Sequence, residues 1–173
     1  CLDRAGVVGA DGATHQGVFD ISYLGSIPDA VIGAPVDQSE MKQMLRLGFN
    51  YSSLFAIRYP RANAPKSFYE VPRQFEIGEG EILREGQDVT ILAIGSTVIP
   101  ALQAADHLSA QGISATVCNM RFAQPLDSKI LIEVANKTRI IFTVEEHVLA
   151  GGFGSKVLEF YERQGLTQIK LRR

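Results

Sequence analysis

Hydrophobic positions along the chain alternate between two textures. Short, near-continuous apolar runs at residues 30–35 and 89–95 predict buried strands, because a strand can be apolar along its length only when helices cover it on both sides. Between such runs, apolar residues recur at three- and four-residue spacing, the period of a helix. Residues 18–24 predict a short helix, with Val18, Ile21 and Leu24 aligned. Residues 39–48 place Met41, Met44, Leu45 and Gly48 on one face, with Asp37 or Ser39 as cap and Gly48 as stop. Residues 53–59 predict a strand that ends at Pro60, and residues 1–4 the last part of another.

The alternation continues further along. Residues 80–86 predict an edge strand and turn, and residues 97–111 a helix with Ile99, Leu102, Ala105 and Leu108 inward. Strands are predicted at 113–119 and 139–145, with a helix at 127–136 between them, capped by Asp127 or Ser128. A helix at 155–164 follows the Gly-rich entry 151–154, and a last strand begins at 167–171. Strands alternating with helices define an α/β fold: two parallel-sheet, three-layer units. Between them, residues 65–80 lose all period and carry Pro65, Pro72, Gly78 and Gly80, which predicts a linker. The units are accordingly read as 1–64 and 81–173.

Composition narrows the class. The 173 residues are 46% hydrophobic and 21% charged, the balance of a globular chain. A net charge of −2 without a long basic run gives nucleic-acid binding no electrostatic support. Cys1 and Cys118 lie far apart and form no metal or redox motif. No stretch is apolar enough to span a bilayer and no signal peptide is visible, so a cytoplasmic location is expected, or a plastid one in a plant or alga.

Candidate chemistry concentrates in residues 3–17, Asp-Arg-Ala-Gly-Val-Val-Gly-Ala-Asp-Gly-Ala-Thr-His-Gln-Gly, where four glycines surround Arg4, Asp11 and His15. Glycine lets main chain approach a ligand closely, and loops at strand ends are where α/β proteins place ligands. His15 suits acid, base or oxyanion-donor work, and Arg4 suits a phosphate or carboxylate. By residue types alone, a Gly-rich surface turn with a solvated histidine is an equal reading. Strand order brings Arg61, just after the predicted strand 53–59, to the same rim. His107 reads as solvated, and Glu145, Glu146 and His147 as structural or interface residues. The 151–154 run lacks the spacing of a dinucleotide fingerprint.

The run Gly9-Ala10-Asp11-Gly12-Ala13-Thr14-His15-Gln16-Gly17 resembles the substrate loop of the transketolase superfamily, with Ala13 where proline is usual. Arg58-Tyr59-Pro60-Arg61, the run from Asn119 to Asp127, and Thr143-Val144-Glu145-Glu146-His147 are similar to its 1-deoxy-D-xylulose-5-phosphate synthase branch. The resemblance implies a C-terminal portion: half of a pyrimidine-binding domain plus a C-terminal domain that stops short. It implies an enzyme that uses thiamine diphosphate and Mg2+, is homodimeric as the full protein, and condenses pyruvate with glyceraldehyde 3-phosphate. Arg4 and Arg61 would hold the acceptor phosphate, His15 would act at the reacting carbonyl, and Asp11 would orient substrate hydroxyls or His15. Arg58 would form a structural ion pair. The principal cofactor and metal ligands would lie upstream, so the fragment is expected to be inactive alone. Transketolase proper, a 2-oxo-acid dehydrogenase subunit, or a non-catalytic interaction module are the alternatives.

Overall fold

In a computed structural model, the described residues are 1–65 and 73–173; part of the expected linker, with Pro72, lies outside them. Strands β1 (Val31–Gly33), β2 (Phe55–Ile57), β3 (Glu81–Arg84), β4 (Val89–Ala93), β5 (Ala115–Asn119), β6 (Phe122–Gln124), β7 (Ile140–Val144) and β8 (Lys170–Arg172) are interspersed with helices. These are α1 (Asp20–Leu24), α2 (Gln38–Phe49), α3 (Val98–Ala110), α4 (Ser128–Lys137) and α5 (Phe153–Arg163). The larger sheet has the order β3-β5-β4-β7-β8, and a smaller one has the order β2-β1-β6. β4, β5, β7 and β8 run parallel, with β3 antiparallel on the edge.

The pleat of β4 explains the layering. Successive side chains leave a strand on opposite faces. Ile91 and Ala93 pack with Val98, Ala101 and Ala105 of α3. Leu92 points the other way, into a core with Leu131 and Val134 of α4 and Phe153 and Val157 of α5. The buried stripe of α3 is Val98, Ala101 and Ala105, while Ile99, Leu102 and Leu108 pack only partly buried at its margin. Small residues let the helix sit close to the sheet, and the larger ones close its rim.

Caps follow the carboxylates. Asp37 accepts from the Glu40 amide at 2.9 Å, and Asp127 accepts from the Lys129 and Ile130 amides at 3.0 and 3.1 Å. Each satisfies donors that have no partner inside the helix. Glu145 does the same from outside α5, accepting from the Phe153 and Gly154 amides at 2.6 and 2.7 Å.

β6 has no counterpart in the sequence reading. It follows β5 in the chain yet pairs antiparallel with β1, Ile32 opposite Gln124 and Gly33 opposite Phe122. A three-residue strand before Pro125 carries no periodic signal, and its partner lies far back in the chain. Phe122 thereby enters the core of the first unit, edge-on to Phe55 and Phe75 with ring centroids 6.4 and 6.1 Å away. Arg121, at φ +54°, turns the chain from one sheet to the other. Its Nε donates to Glu40 at 2.6 Å, its guanidinium also meets Glu81, and it lies 4.4 Å from the Phe75 ring centroid. Glu40, 1% exposed, further accepts from Asn119 at 2.8 Å and from the Val36 amide at 3.0 Å. Ile21, Ile32 and Ala34 share a core with Leu92 and Met120, so the two units pack as one body. No helix among the described residues is long and apolar enough to cross a membrane.

Burial pushes the Glu40 carboxyl above its ordinary value of 4.5, against the pull of Arg121. A carboxyl raised in the folded state contributes stability that is complete below its unfolded value and declines as pH rises through its folded value. Relative to Glu40→Gln, whose side chain does not titrate, the wild type will lose stability as pH climbs above 4.5, read as a wild-type urea midpoint that falls against the variant's. Burial also pushes the Cys118 thiol up to about 12. A thiol reagent at neutral pH will label Cys1, which is exposed, and leave Cys118 unlabelled until urea is added, as intact mass will show.

Candidate active site

The Gly-rich stretch folds as a closed loop. Gly6 and Gly17 exchange backbone hydrogen bonds of 2.8 and 2.9 Å across its neck. Gly17 is required there, since a Cβ would collide with the Arg4 carbonyl. The Gln16 side chain pins the interior: its Oε1 accepts from the Val8 amide at 2.8 Å, and its Nε2 donates to the carbonyls of Val8 and Gly12, both at 3.2 Å. The stretch before the loop lies along β2, with the Leu2 amide on the Ile57 carbonyl and the Tyr59 amide on the Leu2 carbonyl. Two 3-10 turns, Gly9–Asp11 and Ala13–His15, carry the functional side chains.

Three of the four sequence-predicted site residues converge. The Asp11 carboxylate accepts from Arg4 Nε at 2.8 Å through one oxygen and pairs with Arg61 Nη1 through the other. Arg4 also holds Asp3 at 2.7 Å. Arg4 and Arg61 are 37% and 53% exposed at their side chains, whereas Asp11 is 16% exposed. Two guanidinium groups from opposite ends of the first unit thus meet at one carboxylate, a geometry suited to a phosphate with several acceptor oxygens. His15 is exposed, and its Nδ1 lies 3.0 Å from Thr14 Oγ1. Both oxygens of Asp11 meet the arginines, while the His15 ring meets Thr14.

Arg58, read from sequence as a structural ion pair, is that. Its Nε donates to Asp20 at 2.8 Å, with both side chains 4% exposed. Its Nη2 donates to the Glu146 carbonyl at 2.9 Å and to the Gly17 carbonyl at 3.4 Å. His147 is fully buried beside them. Its Nδ1 meets the Val148 carbonyl at 2.8 Å, which requires the proton on that nitrogen, and its Nε2 lies 3.7 Å from Asp20. Sequence reasoning kept residues 145–147 apart from the loop. The available signal was only their charge density at a strand end. His107 is exposed, as its helical position predicts.

A loop-borne cation pair on the rim of an α/β sheet, backed by a second α/β layer, is where α/β proteins place a ligand. The chain belongs to the transketolase family: residues 1–66 match the model of the transketolase pyrimidine binding domain, and residues 78–172 that of the transketolase C-terminal domain. Within that family it is 48% identical over 173 residues to 1-deoxy-D-xylulose-5-phosphate synthase 1 of Geobacter sulfurreducens, covering 99% of this chain and 27% of that protein. It is 50% identical over 166 residues to 1-deoxy-D-xylulose-5-phosphate synthase of Heliobacterium modesticaldum, covering 95% of this chain and 26% of the relative. The chain therefore spans about a quarter of the length of these relatives. Among solved structures, a split gene transketolase, described as an inactive beta4 tetramer, superposes with a TM-score of 0.82 at 34% identity over 87% of this chain and 50% of that one. Pichia stipitis transketolase in complex with sedoheptulose-7-phosphate shares the fold, with a TM-score of 0.66 at 19% identity over 96% of this chain and 27% of that one.

The neck of the loop is the steric bottleneck. Gly17→Ala will cost about 2–3 kcal/mol, the range of a strained backbone substitution, and thermal unfolding of the variant beside wild type measures it.

Proposed function

We propose that the chain supplies the acceptor side of a thiamine-diphosphate-dependent synthase that condenses pyruvate with glyceraldehyde 3-phosphate to 1-deoxy-D-xylulose 5-phosphate and carbon dioxide. The observation that carries this is the meeting of Arg4 and Arg61 at Asp11, in a chain about half identical to two such synthases. We read residues 1–64 as the second half of the pyrimidine-binding domain and 81–173 as the C-terminal domain. The working enzyme is a longer polypeptide, homodimeric and cytoplasmic, with Mg2+ beside its cofactor.

Among the described residues no group of three or more His, Cys, Asp or Glu side chains could hold a metal ion. The described side chains thus offer no such cluster for a metal, and we read the loop residues as acting on the acceptor. When bound, thiamine diphosphate supplies the carbanion chemistry, and the protein supplies orientation and charge.

Arg4 and Arg61 grip the acceptor phosphate with charge-assisted hydrogen bonds. Asp11 keeps the two cations converged before the ligand arrives and then takes a substrate hydroxyl or one released guanidinium donor. With Nδ1–H donating to Thr14 Oγ1, the His15 imidazolium gives its Nε2 proton to the aldehyde oxygen of glyceraldehyde 3-phosphate as negative charge develops there, and is left as neutral imidazole.

The test is acceptor and donor choice in the full-length protein. Pyruvate with glyceraldehyde 3-phosphate will give product, and a ketose donor will not; the reverse result would make it a transketolase. The 173-residue chain alone, given cofactor, will give none. Arg61→Ala and Arg4→Ala will each raise KM for glyceraldehyde 3-phosphate by roughly tenfold to a hundredfold, the loss of a charged hydrogen bond worth about 1.5–3 kcal/mol. KM for pyruvate will stay near wild type.

A further inference from the structure

The neck of the acceptor loop is closed by two backbone hydrogen bonds between glycines. Glycine is the residue least able to hold a fixed conformation by itself, yet Asp11 and His15 need a fixed base to meet a substrate. That base is supplied from the second unit. The Val148 amide donates to the Val18 carbonyl at 3.1 Å, and Ser22 Oγ donates to the Ala150 carbonyl at 2.7 Å. Glu146 lies so close under Gly6 that a Cβ there would sit 2.8 Å from the Glu146 Cβ. Ser96, ahead of α3, donates to the Glu146 carboxylate and holds the side chain in that place. Arg58 then joins the parts: one buried guanidinium reaches Asp20, the Glu146 carbonyl and the Gly17 carbonyl.

We infer that Arg58 and Glu146 are positioning residues of the acceptor loop, through which the C-terminal unit sets where Asp11 and His15 stand. The inference rests on the acceptor-site reading above. Neither residue touches substrate in it. Arg58 fixes Gly17 two positions beyond His15, and Glu146 fixes Gly6 at the other side of the neck. A shift of about 1 Å at such a neck is enough to cost two orders of magnitude in a reaction that depends on alignment.

Two measurements test it. In Arg58→Lys the cation remains, but the planar fork that serves three acceptors at once is gone. By hydrogen exchange on the full-length protein, peptides covering residues 6–17 will exchange about tenfold faster than in wild type, while those covering β4 and β5 keep the wild-type rate. Equal acceleration everywhere, or no change in the loop, overturns the inference. In the full-length protein, the same variant will raise KM for glyceraldehyde 3-phosphate about tenfold and leave KM for pyruvate within about twofold. A loop that loosens without a change in the acceptor KM also overturns it. Should Arg58→Lys fail to fold, Ser96→Ala, which releases only the Glu146 side chain, is read by the same two criteria with a smaller expected change of about threefold. Failure of the functional reading shows separately, as a wild-type protein that makes no product from pyruvate and glyceraldehyde 3-phosphate.

Discussion

The carboxylate of Glu40 is the point on which the two units hang. It leaves α2 in the first unit and is met by Asn119 and Arg121 from the second, with the Val36 amide on its other oxygen. A buried charge survives only when paired and hydrogen-bonded. Each partner is therefore forced into position: Asn119 at the end of β5, Arg121 in its left-handed turn, and β1 through Val36. Once Arg121 is so held, Phe122 has to enter the first core and β6 has to lie along β1. Two sheets become one body because one carboxylate is expensive to leave alone.

The rim of Arg4, Asp11 and Arg61 uses the same physics with the opposite exposure. Arg4 and Arg61 are half open to solvent, where like charges repel weakly and salt screens them. Asp11, more sheltered than either, draws them together. The cost of converging two cations is met before any ligand binds. Behind the rim, Arg58 and Asp20 are both almost fully buried, and their pairing holds position and not charge.

Much of the fold was legible because it is written locally. The apolar run of β4, the caps at Asp37 and Asp127, and the helical periods of α2 and α4 are all set by neighbours in sequence. The convergence of Arg4, Asp11 and Arg61 also followed, since parallel strands bring their C-terminal ends to one edge. What escaped is what depends on distant partners. β6 is too short to show a period. The Arg58 contact to Glu146 spans 88 positions, and the Arg121 contact to Glu40 spans 81. A buried ion pair is made of the same residue types as a solvated surface, so nothing in composition separates them. For the same reason Glu146 read only as a structural or interface residue, with no sign that it lies under the neck of the loop.

β6 belongs by chain order to one unit and by hydrogen bonding to the other, and this bears on motion. Many two-domain enzymes open and close about a few hinge residues in the connecting segment. Here a rotation of one sheet against the other would have to tear β6 from β1, draw Phe122 out of an aromatic cluster and strip Glu40 of Arg121. The seam between the units is stitched, and any motion within this chain has to be smaller than a domain, on the scale of the loop.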